Sequence, residues 1–131
     1  MILSSTVLGS GNPLIILHGL FGESKNWNSI ANELSSHFEV HLIDQRNHGN
    51  SFHHQEHNYV VLANDVYNYI NEYSLKNYSI IGHSMGGKAA MQFSLMYPDE
   101  IQHLIIVDIA PKEYKNEHYA IFEGLQQVLL Q

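Results

Sequence analysis

The chain has 131 residues, 44% of them apolar and 15% charged, with a formal net charge of −7 and no cysteine. The length predicts a single domain spanning residues 1–131 with a core of its own. The acidic balance argues against a nucleic-acid partner, and the missing cysteines exclude disulfides, a thiol nucleophile and thiolate metal sites.

Taken in order, Thr6-Val7-Leu8 is a short apolar segment, and Gly9-Ser10-Gly11-Asn12-Pro13 reads as a turn. Leu14-Ile15-Ile16-Leu17 is a continuous apolar run, the pattern of a strand buried on both faces of a parallel sheet. It ends in His18-Gly19-Leu20-Phe21-Gly22. Apolar residues at 27, 30, 31 and 34 predict a helix, and Val40-His41-Leu42-Ile43 predicts a second buried strand ending at Asp44. A polar loop from Asp44 to Ser51 leads past His53, His54 and His57 to a predicted helix at about 59–73. Its expected apolar stripe is Val60, Ala63, Val66, Tyr67 and Ile70. Tyr78 to Gly82 predicts a third strand, followed by a helix that ends before Pro98. Ile101 to Val107 predicts the last strand, and Asp108-Ile109-Ala110-Pro111 leaves its C-terminal end. An amphipathic pattern through Ile121, Phe122, Leu125, Val128 and Leu129 closes the chain.

Strands alternate with helices, which predicts parallel βαβ units and a sheet covered on both faces. The polar loops at His18, Asp44, Ser84 and Asp108 all follow strands, and ligands of such sheets bind at the carboxyl ends of strands. No stretch has the ~18 consecutive apolar residues of a membrane-spanning helix. Met1-Ile2-Leu3-Ser4-Ser5-Thr6 lacks the basic and apolar blocks of a secretory signal. A cytoplasmic protein without a membrane partner is expected.

Gly82-His83-Ser84-Met85-Gly86 fits the G-x-S-x-G nucleophile elbow between a strand and a helix. A serine projecting from so sharp a turn is crowded by residues two positions away, and Gly82 and Gly86 have no Cβ to obstruct it. The following helix begins beside the serine, so its free N–H groups favour an anion there. The Met85 N–H is the expected first donor of an oxyanion hole. Gly82 to Lys88 also fits G-x-x-x-x-G-K, the start of a nucleotide-binding loop. The position that should carry Ser or Thr for Mg²⁺ is Ala89, which speaks against that reading.

His18-Gly19-Leu20-Phe21-Gly22, Asp44-Gln45-Arg46-Asn47-His48-Gly49-Asn50-Ser51, Gly82-His83-Ser84-Met85-Gly86-Gly87 and Asp108-Ile109-Ala110-Pro111 stand in the order of the α/β-hydrolase superfamily. The chain resembles that superfamily, and within it the small intracellular carboxylesterases. The resemblance implies an α/β fold, mostly parallel, with helices on both faces. It implies hydrolysis of a carboxylic ester or thioester through an acyl-serine intermediate, with acyl transfer or a thioesterase as related chemistries. Ser84 is then the nucleophile, Leu20 the second oxyanion donor and Asp108 the candidate triad acid. Gly19, Phe21 and His83 line the substrate site, and no cofactor or metal is needed. The 44–51 segment is similar to a loop that braces the site. Asp44 and Arg46 are expected to pair with each other or to bond backbone groups, and His48 and His83 are not expected to be bases. His53, His54 and His57 fit a solvated loop better than a metal site, because no carboxylate of ligand spacing accompanies them.

The triad order in this fold is Ser, Asp or Glu, then His. The one histidine after Asp108 is His118, about ten residues on, where a polar segment opens the last amphipathic pattern. It is not expected to be the base. The chain therefore resembles the N-terminal part of a hydrolase, without the region that carries the catalytic histidine, and this reading leaves the activity of the chain on its own open. Its last strand is expected to leave an apolar edge for self-association. A non-catalytic interaction domain is the remaining alternative.

Overall fold

The computed structural model describes residues 1–107. Strand β1 is Ser5–Leu8, β2 Pro13–Leu17, β3 Glu39–Ile43, β4 Tyr78–His83 and β5 Ile101–Val107. They form one sheet in the order β1-β3-β2-β4-β5, parallel except for β1, which runs antiparallel to β3. A short 3-10 helix, Ser24–Trp27, leads into helix α1, Asn28–Leu34. Helix α2 is Tyr59–Glu72 and helix α3 is Met85–Met96. Every strand expected from the apolar runs is present, and the Gly9–Pro13 turn bends through left-handed glycines at 9 and 11.

Alternation along β2 splits the core. Ile15 and Leu17 face α2 and α3, packed with Ile43, Val66, Ile80 and Phe93. Leu14 and Ile16 face the other side, with Trp27, Ala31, Leu42 and Ile81. The sheet is thus buried on both faces, which is why its inner strands read as unbroken apolar runs.

The α2 stripe needs correction. Ala63, Val66 and Ile70 are buried as expected, but Leu62 and Tyr69 complete that face, and Val60 and Tyr67 are exposed. Tyr67 instead stacks on Tyr97, with ring centroids 4.0 Å apart. Asn58 caps α2, its side-chain oxygen accepting from the Val61 N–H at 2.9 Å. Among the described residues, β5 is the outermost strand on its side of the sheet. No helix among them is long and apolar enough to cross a membrane.

Candidate active site

The first crossover runs from β2 outward to β3, and the next returns past β2 to β4. The strand order therefore reverses between β2 and β4, the place where open α/β sheets hold their ligands. Leu17 pairs with Gly82 across that boundary. The two motifs that follow, His18–Gly22 and His83–Gly86, are neighbours for this reason.

Ser84 has φ 53° and ψ −111°, a left-handed conformation that a residue with a Cβ adopts only under strain. Its backbone is held on both sides: the Ser84 N–H donates to the Val107 carbonyl at 3.0 Å, and the Ser84 carbonyl accepts from the Lys88 N–H at 3.0 Å. The second bond is the first full turn of α3, so the N–H groups of Met85 and its successors lie at the free end of the helix. A Cβ on Gly82 would come within 2.7 Å of the Gly86 carbonyl carbon and of Gly87 Cα. One on Gly86 would lie 2.6 Å from the His18 carbonyl oxygen. The helix start is thereby pressed onto the end of β2, bringing Met85 beside the His18–Gly22 loop.

That loop closes on itself through a Gly22 N–H to Gly19 carbonyl bond of 3.0 Å. Gly19 rests on His83, whose Nδ1 would lie 2.7 Å from an added Cβ, and the His83 ring lies beside Trp27. Leu20 is 55% exposed and Phe21 92% exposed, with Phe21 in the left-handed region at φ 62°. A cavity of about 510 Å³ between this loop and the 47–57 segment is lined by Leu20, Phe21, Glu23, Asn47, His48 and His57.

Two histidines of the neighbouring loops, His18 and His48, are held by hydrogen bonds on both ring nitrogens. His18 is buried, and its Nδ1–H donates to the Gly19 carbonyl at 2.8 Å while its Nε2 accepts from the Gln45 N–H at 3.0 Å. Those two partners fix a neutral ring, and burial pushes its pKa below 6.5. His48 is held likewise, with Nδ1 on the Arg46 carbonyl and Nε2 accepting from Phe21. His53, His54 and His57 are exposed, and no metal-holding group of three or more His, Asp or Glu occurs among the described residues.

Asp44 and Arg46 do not pair with each other. Asp44 is buried and bonds backbone: Oδ1 accepts from the Ser24 N–H at 2.7 Å and Oδ2 from the Asn50 N–H at 3.1 Å. Burial alone would raise its carboxyl, but the hydrogen bonds from Ser24 and Asn50 more than reverse that, leaving the pKa below 3.8. Arg46 turns the other way, to Asp65 on α2. The 44–51 loop braces the site as expected, but through Asp65 and Gln45, which the sequence reading passed over. Gln45 ties the loop to β2 by donating its side-chain N–H to the His18 carbonyl at 2.6 Å. Asp65 did leave a signal, since it lies between Leu62 and Tyr69 on the buried face of α2.

Lys88, the lysine of the nucleotide-loop reading, sits over the Tyr59 ring with Nζ 5.7 Å from its centroid. Asp108 and His118 fall outside the described residues, as do Pro111 and the last amphipathic pattern. Val107, which precedes Asp108, pairs with His83.

The two buried groups give an acid-side prediction. The unfolded chain protonates His18 near pH 6.5 while the folded chain resists, so the unfolded state binds more protons below that value. Stability should therefore decline as pH drops below about 6.5. Asp44, with its folded pKa depressed, contributes stability that is full above 3.8 and is lost as pH falls through its folded value. Urea unfolding across this range should show two successive losses. Asp44→Asn should remove the lower one, and a wild-type stability flat from pH 7 to pH 5 would contradict the His18 assignment.

A family model described as alpha/beta hydrolase fold matches residues 12–129. A Haemophilus influenzae protein named as an esterase/lipase is 42% identical over 113 residues, covering 86% of this chain and 39% of its own length. Esterase YbfF of Escherichia coli is 34% identical over 120 residues, covering 91% of this chain and 47% of its own. Among solved structures, an esterase from a marine microorganism superposes with a TM-score of 0.83 at 45% identity, covering 98% of this chain and 50% of that one. The chain spans half or less of the length of these relatives.

Proposed function

Because this chain belongs to the alpha/beta hydrolase family, we propose that it carries the nucleophile part of a serine hydrolase acting on carboxylic esters or thioesters. The observation that carries the proposal is the backbone of Ser84, held at φ 53° where strand order reverses, between two glycines whose sites would force backbone atoms apart for any larger residue. The esterase names of the relatives support the substrate class.

In the proposed reaction, Ser84 Oγ attacks the carbonyl carbon of a small acyl ester or thioester. Its proton passes to a histidine base, and negative charge gathers on the carbonyl oxygen. The N–H groups of Met85 and Leu20 donate to that oxygen, and donors of this kind are worth ~10²–10³ each in rate. The tetrahedral intermediate expels the alcohol or thiol, which takes the proton, and water then hydrolyses the acyl-serine. Asp108, next after Val107, is the proposed acid that orients the histidine. Gly19, Phe21 and His83 frame the acyl group. His18 and His48 are not assigned as the base, because each ring already bonds on both nitrogens.

A fluorophosphonate probe tests this directly. The folded chain should be labelled at Ser84, identified by peptide mass, and Ser84→Ala should lose the label. A folded wild type that stays unlabelled, or a mutant labelled equally, would sink Ser84 as an activated nucleophile.

A further inference from the structure

We propose that His48 is a positioning residue that holds the Leu20–Phe21 segment in its oxyanion-binding shape, and does so only as the neutral Nδ1–H ring. The oxyanion role of that segment rests on the function proposed above. The hydrogen bond itself does not.

Phe21 is a non-glycine residue at φ 62°, a conformation that costs free energy whenever a Cβ is present. Ordinarily packing of the side chain holds such a residue in place. Here the ring is 92% exposed, so no core contact can do it. The Gly22 N–H to Gly19 carbonyl bond closes the turn from within, and a polar bond across 27 residues of sequence ties it to the rest of the fold: the Phe21 N–H donates to His48 Nε2 at 3.1 Å. The ring is anchored from behind by its own Nδ1–H, which donates to the Arg46 carbonyl at 2.8 Å. A carbonyl can only accept and an amide N–H can only donate, so these partners dictate the tautomer. Leu20 shares a peptide unit with Phe21, so the orientation of the one constrains the other.

The arrangement has a chemical consequence. Protonation of His48 places a hydrogen on Nε2, and two N–H groups then face each other. The bond to Phe21 is lost, and the left-handed turn loses its tie to the loop after β3. The groups around the ring are the His18 ring with its centroid 5.0 Å away, the His57 ring at 6.3 Å, and Glu23 across the shared cavity. The Arg46 guanidinium points to Asp65, and the Asp44 carboxylate is committed to Ser24 and Asn50.

Nitrogen-15 NMR of the full chain decides the matter without any turnover. At neutral pH a scalar coupling should cross the hydrogen bond from the Phe21 amide to His48 Nε2, and the ring shifts should be those of the Nδ1–H tautomer. Both should vanish together as His48 is titrated, with the Phe21 and Leu20 amides exchanging faster. An Nε2–H tautomer, or no coupling at neutral pH, would overturn the proposal. Two variants add the functional arm. His48→Phe keeps a ring of similar size but no acceptor, and should slow fluorophosphonate labelling of Ser84 by about tenfold, the effect of one hydrogen bond. His48→Gln places an acceptor near the Nε2 position and should restore most of that rate. Equal losses in the two variants would reduce His48 to a packing residue. If the wild type is not labelled at all, the serine-hydrolase reading fails, while the coupling still reports whether His48 holds the turn.

Discussion

Gly86→Ala is expected to destabilise the fold by about 3 kcal/mol or more, the upper end for overpacking, and to abolish labelling of Ser84. An alanine Cβ there would lie 2.6 Å from the His18 carbonyl oxygen and 2.7 Å from the Leu17 carbonyl carbon. Leu17 ends β2 and His18 follows it directly, and β2 is paired with β3 on one side and β4 on the other and cannot retreat. Relief would require lifting the start of α3 off the sheet, which moves Met85 away from the His18–Gly22 loop. Gly82→Ala should act alike, since its obstructing atoms belong to the backbone of Gly86 and Gly87. Gly19→Ala is the useful contrast. Its nearest obstruction is the His83 side chain, which can yield, so stability should fall less while the loop is still displaced. Urea unfolding of the three variants checks the order. A Gly86→Ala protein within about 1 kcal/mol of wild type would show that the helix start is not pressed against β2.

The second large effect belongs to Arg46 and Asp65. The guanidinium meets the carboxylate with two bonds, Nε to Oδ2 at 2.6 Å and Nη2 to Oδ1 at 2.8 Å, and its third arm reaches the Glu56 carbonyl at 2.8 Å. The hydrogen bond to Asp65 holds the Arg46 pKa above its usual value, and the Phe52 ring lies 5.4 Å away. Both side chains are buried, with exposures of 10% and 6%. Removing one partner leaves the other as an unpaired charge out of water, which costs about 3–5 kcal/mol. Arg46→Met should therefore destabilise by that amount and loosen the 44–58 segment from α2. Replacing both, as Arg46→Met with Asp65→Leu, should recover much of the loss, because the desolvation cost disappears along with the attraction. A double-mutant cycle measures the coupling, and strictly additive losses would mean that the pair is not one unit.

Much of this was legible in the sequence. Leu14 to Leu17, Val40 to Ile43 and Leu104 to Val107 were readable as strands because burial on both faces favours unbroken apolar runs, His41 being the polar exception, bonded to Tyr69 and Glu39. Ser84 was readable because its backbone tolerates only glycine two residues to either side, a requirement written in the chain itself. The α2 stripe was half misread. The helical period admits more than one face when Val60, Leu62, Tyr67 and Tyr69 are all apolar, and the sheet alone selects which face it covers.

What the sequence determined by itself is local: strand and helix order, the glycine-framed serine, and hence the alpha/beta hydrolase family. What only the tertiary structure decided is who meets whom. Arg46 had carboxylates available at 44 and 65, and the nearer in sequence lost. Along the 44–46 turn, the Asp44 side chain points back to the start of the 3-10 helix at Ser24, and Arg46 points forward to α2. His48 carried no mark of its bond to Phe21, because a hydrogen bond across 27 residues depends on the parallel pairing of β2 with β3, which sets the loop after β2 beside the loop after β3. Periodicity encodes burial. Long-range polar partnerships follow from where the strands place their ends.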